Sequence, residues 1–122
     1  MLQNSVIDTT AIEQMRAIQQ PGGDDLVGKI ISLFIDESAR LQGCIAQAIQ
    51  QCDCDSVRKH AHSLKSCSAN VGAMEVTSLS QALETAGRDG QLHQISGLFS
   101  QLQSDLKAAV RELQILSDAR TP

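Results

Sequence analysis

The side chains best suited to chemistry cluster in one short span: Arg58, Lys59, His60, His62 and Lys65. Between Ser56 and Met74 there is no Asp or Glu, although the 122-residue chain holds 14 acids against 10 bases. A water-exposed imidazole titrates near about 6.5, so at neutral pH it is mostly the uncharged nucleophile. If it takes up a phosphoryl group, the product carries about two negative charges, which neighbouring cations stabilise. A histidine among basic residues in an acidic chain therefore suits transient phosphoryl transfer.

Helical geometry sharpens the pattern. At about 100° per residue, Arg58, Lys59, Lys65, Ser66 and Ala69 all fall within roughly 60° of His62. Val57, Leu64, Ser68 and Val71 fall on the far side. His62 is thus expected outside the apolar stripe, with the small Ser66 and Ala69 leaving room round its ring and Lys65 one turn away. A plain solvated helix face has the same appearance, and the residues alone favour that blander reading.

His60 lies roughly 160° round from His62, near Leu64, Cys67 and Val71, and reads as a boundary or core residue. The same angle argues against a metal centre. Cys52-x-Cys54 with His60-x-His62 has the residue types of a zinc or copper site. Side chains two apart on a helix diverge, however, and two cysteines alone are too few ligands. The four cysteines (Cys44, Cys52, Cys54, Cys67) read as thiols.

The elements that must position His62 follow from the apolar spacing. A short helix begins near Asp8 or Thr10, with Thr10-x-x-Glu13 as a capping box and Ala11, Met15 and Ile18 as its apolar side. Pro21-Gly22-Gly23 ends it. Asp24 or Asp25 caps a second helix, with Leu26, Ile30, Leu33, Phe34, Leu41, Ile45 and Ala48 on one stripe and Val27, Ile31 and Ile35 on another. Cys52 to Asp55 form a turn. A third helix turns Val57, Ala61, Leu64, Ser68 and Val71 inward and ends at Gly72. A fourth has Met74, Val76, Leu79, Leu83 and Ala86 inward and stops at Gly87-Arg88-Asp89-Gly90. A fifth carries Leu92, Ile95, Phe99, Leu102, Leu106, Ala109, Leu113 and Leu116 at alternating steps of three and four. That spacing would also serve a coiled-coil dimer, but membership of a bundle is the preferred reading. Asp118 to Pro122 are expected to fray. The expected fold is all-α, an up-and-down antiparallel four-helix bundle with a short additional N-terminal helix, in a single domain over 1–122 whose core spans about 7–116.

Composition narrows the function. Apolar residues are 42% and charged residues 20%, a globular balance. Phe34 and Phe99 are the only aromatics, which removes stacking platforms for single-stranded nucleic acids or sugars. The net charge of −4 opposes general affinity for phosphate backbones. No apolar run reaches the about 18 residues of a membrane span. The start, Met1-Leu2-Gln3-Asn4-Ser5, has no signal-peptide pattern, so the expectation is a cytoplasmic protein or a cytosolic piece of a larger one. No glycine-rich nucleotide loop or Ser/His/Asp arrangement is present.

The run Ala61-His62-Ser63-Leu64-Lys65-Ser66-Cys67-Ser68-Ala69-Asn70-Val71-Gly72-Ala73 closely resembles the signature of histidine-containing phosphotransfer (HPt) domains, roughly A-H-S/T-L-K-G-S-S-A-N-L-G-A. The likeness continues through Gly22-Gly23-Asp24-Asp25-Leu26, Phe34-Ile35-x-Glu37, Leu83-Glu84 and Gly90-x-Leu92, and so covers about Ile7 to Leu116. It implies a four-helix bundle that receives a phosphoryl group from the aspartate of one receiver domain and passes it to another, without binding ATP. It implies that His62 is phosphorylated and that Lys65 balances the phosphoryl charge. Arg58, Lys59 and Ala69 would then belong to the surface that docks a receiver.

Two positions depart from the pattern. Ser66 stands where the family usually has Gly, against the imidazole; it is small, shapes the receiver's access, and its hydroxyl can donate to a phosphoryl oxygen. Some members place a glutamine on the next helix near the histidine. A helix returning from Gly72 brings Gln81 to Glu84 level with His62, and the family position falls on Glu84. A carboxylate close by would repel phosphate, so Glu84 is read as a solvated residue and Gln81 as a second candidate.

The resulting expectation is a phosphorelay intermediate with no cofactor of its own, magnesium belonging to the receiver. Its partners would be response-regulator receiver domains and a hybrid sensor histidine kinase, with no nucleic acid and no direct membrane contact, and the chain would be a monomer. Two alternatives stand beside it. A non-catalytic helical adaptor would dock a receiver yet take no acid-labile label. The phosphoacceptor module of a chemotaxis-type kinase would be labelled from ATP by a kinase domain.

Overall fold

The computed structural model describes residues 7–18 and 25–118. Among the described residues the regular structure is all helical, with five helices and no strand: α1 (Thr10–Ile18), α2 (Leu26–Gln50), α3 (Cys54–Asn70), α4 (Met74–Arg88) and α5 (Leu92–Asp118). The expected helix stop at Pro21-Gly22-Gly23, the alternative cap Asp24 and the tail from Ala119 to Pro122 lie outside the described residues.

The three links between the long helices share one device. Cys52 (φ 54°), Gly72 (φ 77°) and Gly90 (φ 68°) each adopt the left-handed conformation just past a helix end. The next residue then donates back across the turn: Asp53 N–H to Ala48 O at 2.9 Å, Ala73 N–H to Ser68 O at 3.0 Å, Gln91 N–H to Ala86 O at 2.9 Å. This is the Schellman stop, which satisfies carbonyls left over at a helix end. Each link is three residues long, too short for anything but a direct return along the preceding helix. Asp25 and Asp53 cap α2 and α3 by accepting from Gly28 N–H at 2.9 Å and Ser56 N–H at 3.1 Å.

Successive long helices pack on one another, α2 on α3, α3 on α4 and α4 on α5, and α2 also contacts α5 to close the ring. Inside lie Ile31, Phe34, Leu41, Ile45, Val57, Ala61, Leu64, Val76, Leu83, Ile95, Phe99, Leu102, Leu106 and Leu113, all buried. Aliphatic burial of this kind contributes about 1.5–3 kcal/mol per large side chain and is the main term holding the helices together. At Gly87, a Cβ would sit 2.9 Å from both Arg58 N and Cys54 O, so its lack of a side chain lets α4 lie directly on α3. The helix ends at Arg88, within the expected stop Gly87-Arg88-Asp89-Gly90.

The first helix differs from expectation. Thr10 is its first residue, not its cap: Asp8 Oδ1 accepts from Thr10 N–H at 3.0 Å, and Thr9 Oγ1 reaches Glu13 at 3.2 Å. The start is fixed by tertiary contact, because Asp8 N–H donates to Gly72 O at 2.7 Å and Ile7 is buried. That docking rotates the helix so that Ile12 is buried and Ile18 is 72% exposed. In α2 the core is led by Val27 and Ile31 rather than Leu26 and Ile30, and Leu33 is exposed. Met74 and Leu92, expected inside, are exposed as the first residues of their helices, and Val76 and Ile95 take the buried side of those first turns.

Candidate functional site

His62 lies at the middle of α3, on the face turned away from the core, and its side chain is 59% exposed. Buried Val57, Ala61, Leu64 and Ser68 anchor the other face. Ser68 holds the far side by donating to Lys65 O at 3.1 Å and sharing a hydrogen bond with Thr77 Oγ1 of α4 at 2.8 Å. The third helix therefore has one rotational setting, and it presents His62 outward. His60 is half-buried, on the other side of the helix.

The fourth helix returns along α3 and places Glu84 beside His62. His62 Nδ1 is 2.9 Å from Glu84 Oε2. An ionised carboxylate only accepts, so the contact places the ring proton on Nδ1 and leaves the Nε2 lone pair free. Lys65 Nζ is 2.8 Å from Glu84 Oε1 and donates to Gln81 Oε1 at 3.0 Å. The Lys65–Glu84 contact has the distance of an ion pair but not the alignment of a hydrogen bond, so buried Glu84 Oε1 has charge compensation without a well-directed donor. The Lys65 ammonium, and secondarily the His62 ring, hold the Glu84 carboxyl below the usual glutamate range against a smaller opposing effect of burial. At 21% side-chain exposure Glu84 is no solvated residue. The expectation is corrected, because α4 lies close enough for the carboxylate to bridge His62 and Lys65.

The structure thus gathers His62, Lys65, Glu84 and Gln81. Thr85, not singled out from sequence, completes the row by accepting from Gln81 Nε2 at 3.3 Å; its four-residue spacing from Gln81 was the available signal. Ser66 and Ala69 are exposed on the His62 side of α3. Arg58 and Lys59 are drawn the other way. Arg58 Nη2 is 2.8 Å and Lys59 Nζ 3.4 Å from Asp55, one turn toward the start of the helix. Arg58 foremost, with Lys59, holds the Asp55 carboxyl below its usual range. The acid-free span ends one residue short of the acid that partners both cations, so much of its positive charge is compensated away from His62. Among the described residues no cluster of His, Cys, Asp and Glu is arranged to hold a metal ion.

Chemically, the arrangement is an exposed nitrogen nucleophile with its other nitrogen held by a carboxylate, and a cation within reach of whatever the nucleophile receives. No helix among the described residues is long and apolar enough to cross a membrane.

Comparison with solved structures finds the same architecture. A histidine-containing phosphotransfer protein B from Pseudomonas aeruginosa superposes with a TM-score of 0.87 at 20% identity, over 95% of this chain and 97% of that one. A putative histidine-containing phosphotransfer protein from rice gives 0.82 at 22% identity, over 100% and 90%. One from Medicago truncatula gives 0.63 at 24% identity, over 100% and 88%. Identities this low speak for the fold. A search of curated proteins found no significant match. The model of the Hpt domain matches residues 29–113, which include the whole of α3 and α4. The chain belongs to the Hpt domain family.

Proposed function

We propose that this chain is a phosphorelay intermediate that carries a phosphoryl group on His62 between aspartates of response-regulator receiver domains, one of them attached to a hybrid sensor kinase. Its scaffold is an up-and-down antiparallel four-helix bundle formed by α2 to α5, with α1 laid against it, in a single domain. The observation that carries the reading is the His62–Glu84–Lys65 contact set on an exposed helix face.

The transfer step is an in-line displacement. Nε2 of neutral His62 attacks the phosphorus of an aspartyl phosphate; the N–P bond forms, the O–P bond breaks, and the electron pair leaves on the aspartate as a carboxylate. The ring gains positive charge, which the Nδ1–H contact with Glu84 stabilises. Lys65 meets the charge on the phosphoryl oxygens, and the Ser66 hydroxyl can donate to them. Attack by a second receiver's aspartate reverses the step. Rate enhancement here is orientation and charge stabilisation. The chain itself needs no cofactor and no ATP-dependent kinase activity; magnesium belongs to the receiver. Arg58, Lys59 and Ala69 would help dock the receiver. The protein acts as a monomer in the cytoplasm.

The test is to mix the chain with a phosphorylated receiver domain. Acid-labile label on the wild type and none on His62→Gln supports the reading. Label that persists in His62→Gln, or no label on the wild type, overturns it; the second result would favour an adaptor that docks without carrying phosphate.

A further inference from the structure

We propose that Gln81 is a positioning residue of the transfer site, acting through Lys65. Its side-chain carbonyl gives a direction to the ammonium that the Glu84 carboxylate draws in, so that a free N–H faces the phosphoryl oxygens on His62. The inference deepens the carrier reading and rests on it.

An ammonium has three donors and no acceptor. Gln81 Oε1 accepts one of them at 3.0 Å, while Glu84 Oε1, 2.8 Å away, attracts the ammonium without the alignment of a hydrogen bond. On its flexible four-carbon stem an ammonium samples many directions, so the amide is the contact that gives it one. Gln81 is itself oriented. Its amide nitrogen donates to Thr85 Oγ1 at 3.3 Å, which turns the carbonyl end toward Lys65. Its own electrical neutrality matters as well. Glu84 already compensates one positive charge; an amide as second anchor orients the ammonium without cancelling more of the field that a phosphoryl dianion needs.

The experiment is a double-mutant cycle in the full chain, read as the rate at which a phosphorylated receiver domain labels His62. Gln81→Leu keeps most of the volume and removes the acceptor at an exposed position, and a thermal melt checks that the fold is retained. Loss of one hydrogen bond to a charged group predicts labelling roughly tenfold slower in Gln81→Leu. In a Lys65→Met background the same change has no further effect. The Lys65 ammonium signal in 1H–15N spectra, sharp while Gln81 accepts from it, broadens in Gln81→Leu. Wild-type labelling by Gln81→Leu, or equal slowing with and without Lys65, overturns the proposal while leaving the carrier reading intact. Absence of label on the wild type overturns both.

Discussion

Replacing Lys65 by Met removes a charge from the site in two ways that act in the same direction. The ammonium no longer meets the incoming phosphoryl group. Glu84 also loses the stronger of the two partners that hold its pKa down, and is left as a carboxylate compensated only by the ring it touches. Two unit charges about 4 Å apart interact by about 4 kcal/mol at an effective dielectric of 20 and about 1 kcal/mol in water. Lys65 is 27% and His62 59% exposed, so the site lies nearer the watery limit. A loss of about 1–2 kcal/mol of transition-state stabilisation is expected, which slows labelling by a phosphorylated receiver roughly five- to thirtyfold. The assay is single-turnover transfer at fixed receiver concentration. A Lys65→Met rate equal to wild type would refute the reasoning.

Other expectations follow from the turns, the ion pair and the thiols. Cys52 occupies the left-handed position that Gly72 and Gly90 fill in the other two links, so Cys52→Gly should stabilise the fold by about 0.5–1 kcal/mol, the relief of backbone strain exceeding the entropy glycine adds to the unfolded chain; a denaturant midpoint that falls would contradict this. Gly72→Ala should destabilise far more than Gly90→Ala, since a Cβ at 72 would meet the Asp8 carbonyl while none lies near 90. A melt in which both lose the same few degrees would show that Ile7 and Asp8 do not dock there. Because the Glu84 carboxyl is depressed in the folded state, its contribution is present above the ordinary glutamate pKa of 4.5 and is lost as pH falls through the lower folded value. The stability gap between wild type and Glu84→Gln should accordingly be constant near pH 7 and close on acidification below about 4.5; a gap that widened in acid would reverse the sign. Burial pushes the Cys67 thiol up to about 11, so alkylation at pH 8 should modify exposed Cys52 well before Cys67.

The helices and the outward setting of His62 were legible in the sequence because both follow from apolar spacing, which burial enforces. Lys65 and Ser66 followed from the same angular layout. Glu84 did not. Whether a carboxylate on α4 bridges or merely faces solvent depends on how closely two helices approach, and that distance is set by Gly87, whose missing side chain admits the backbone of α3. Arg58 and Lys59 make a related point: the chain shows a basic strip, while their pairing with Asp55 depends on side chains reaching back one turn. Of the two starts the sequence offers for α1, Asp8 rather than Thr10 supplies the cap contact, and Asp8 is held on Gly72, a contact between segments far apart in the chain.

The most direct measurement is the position of the phosphorus after transfer. The chain is labelled from a phosphorylated receiver and its imidazole nitrogens are followed by 15N and 31P spectroscopy. The account predicts a phosphorus–nitrogen coupling at Nε2 of His62, with the proton retained on Nδ1 toward Glu84. Phosphorus on Nδ1, or on any residue other than His62, would contradict it.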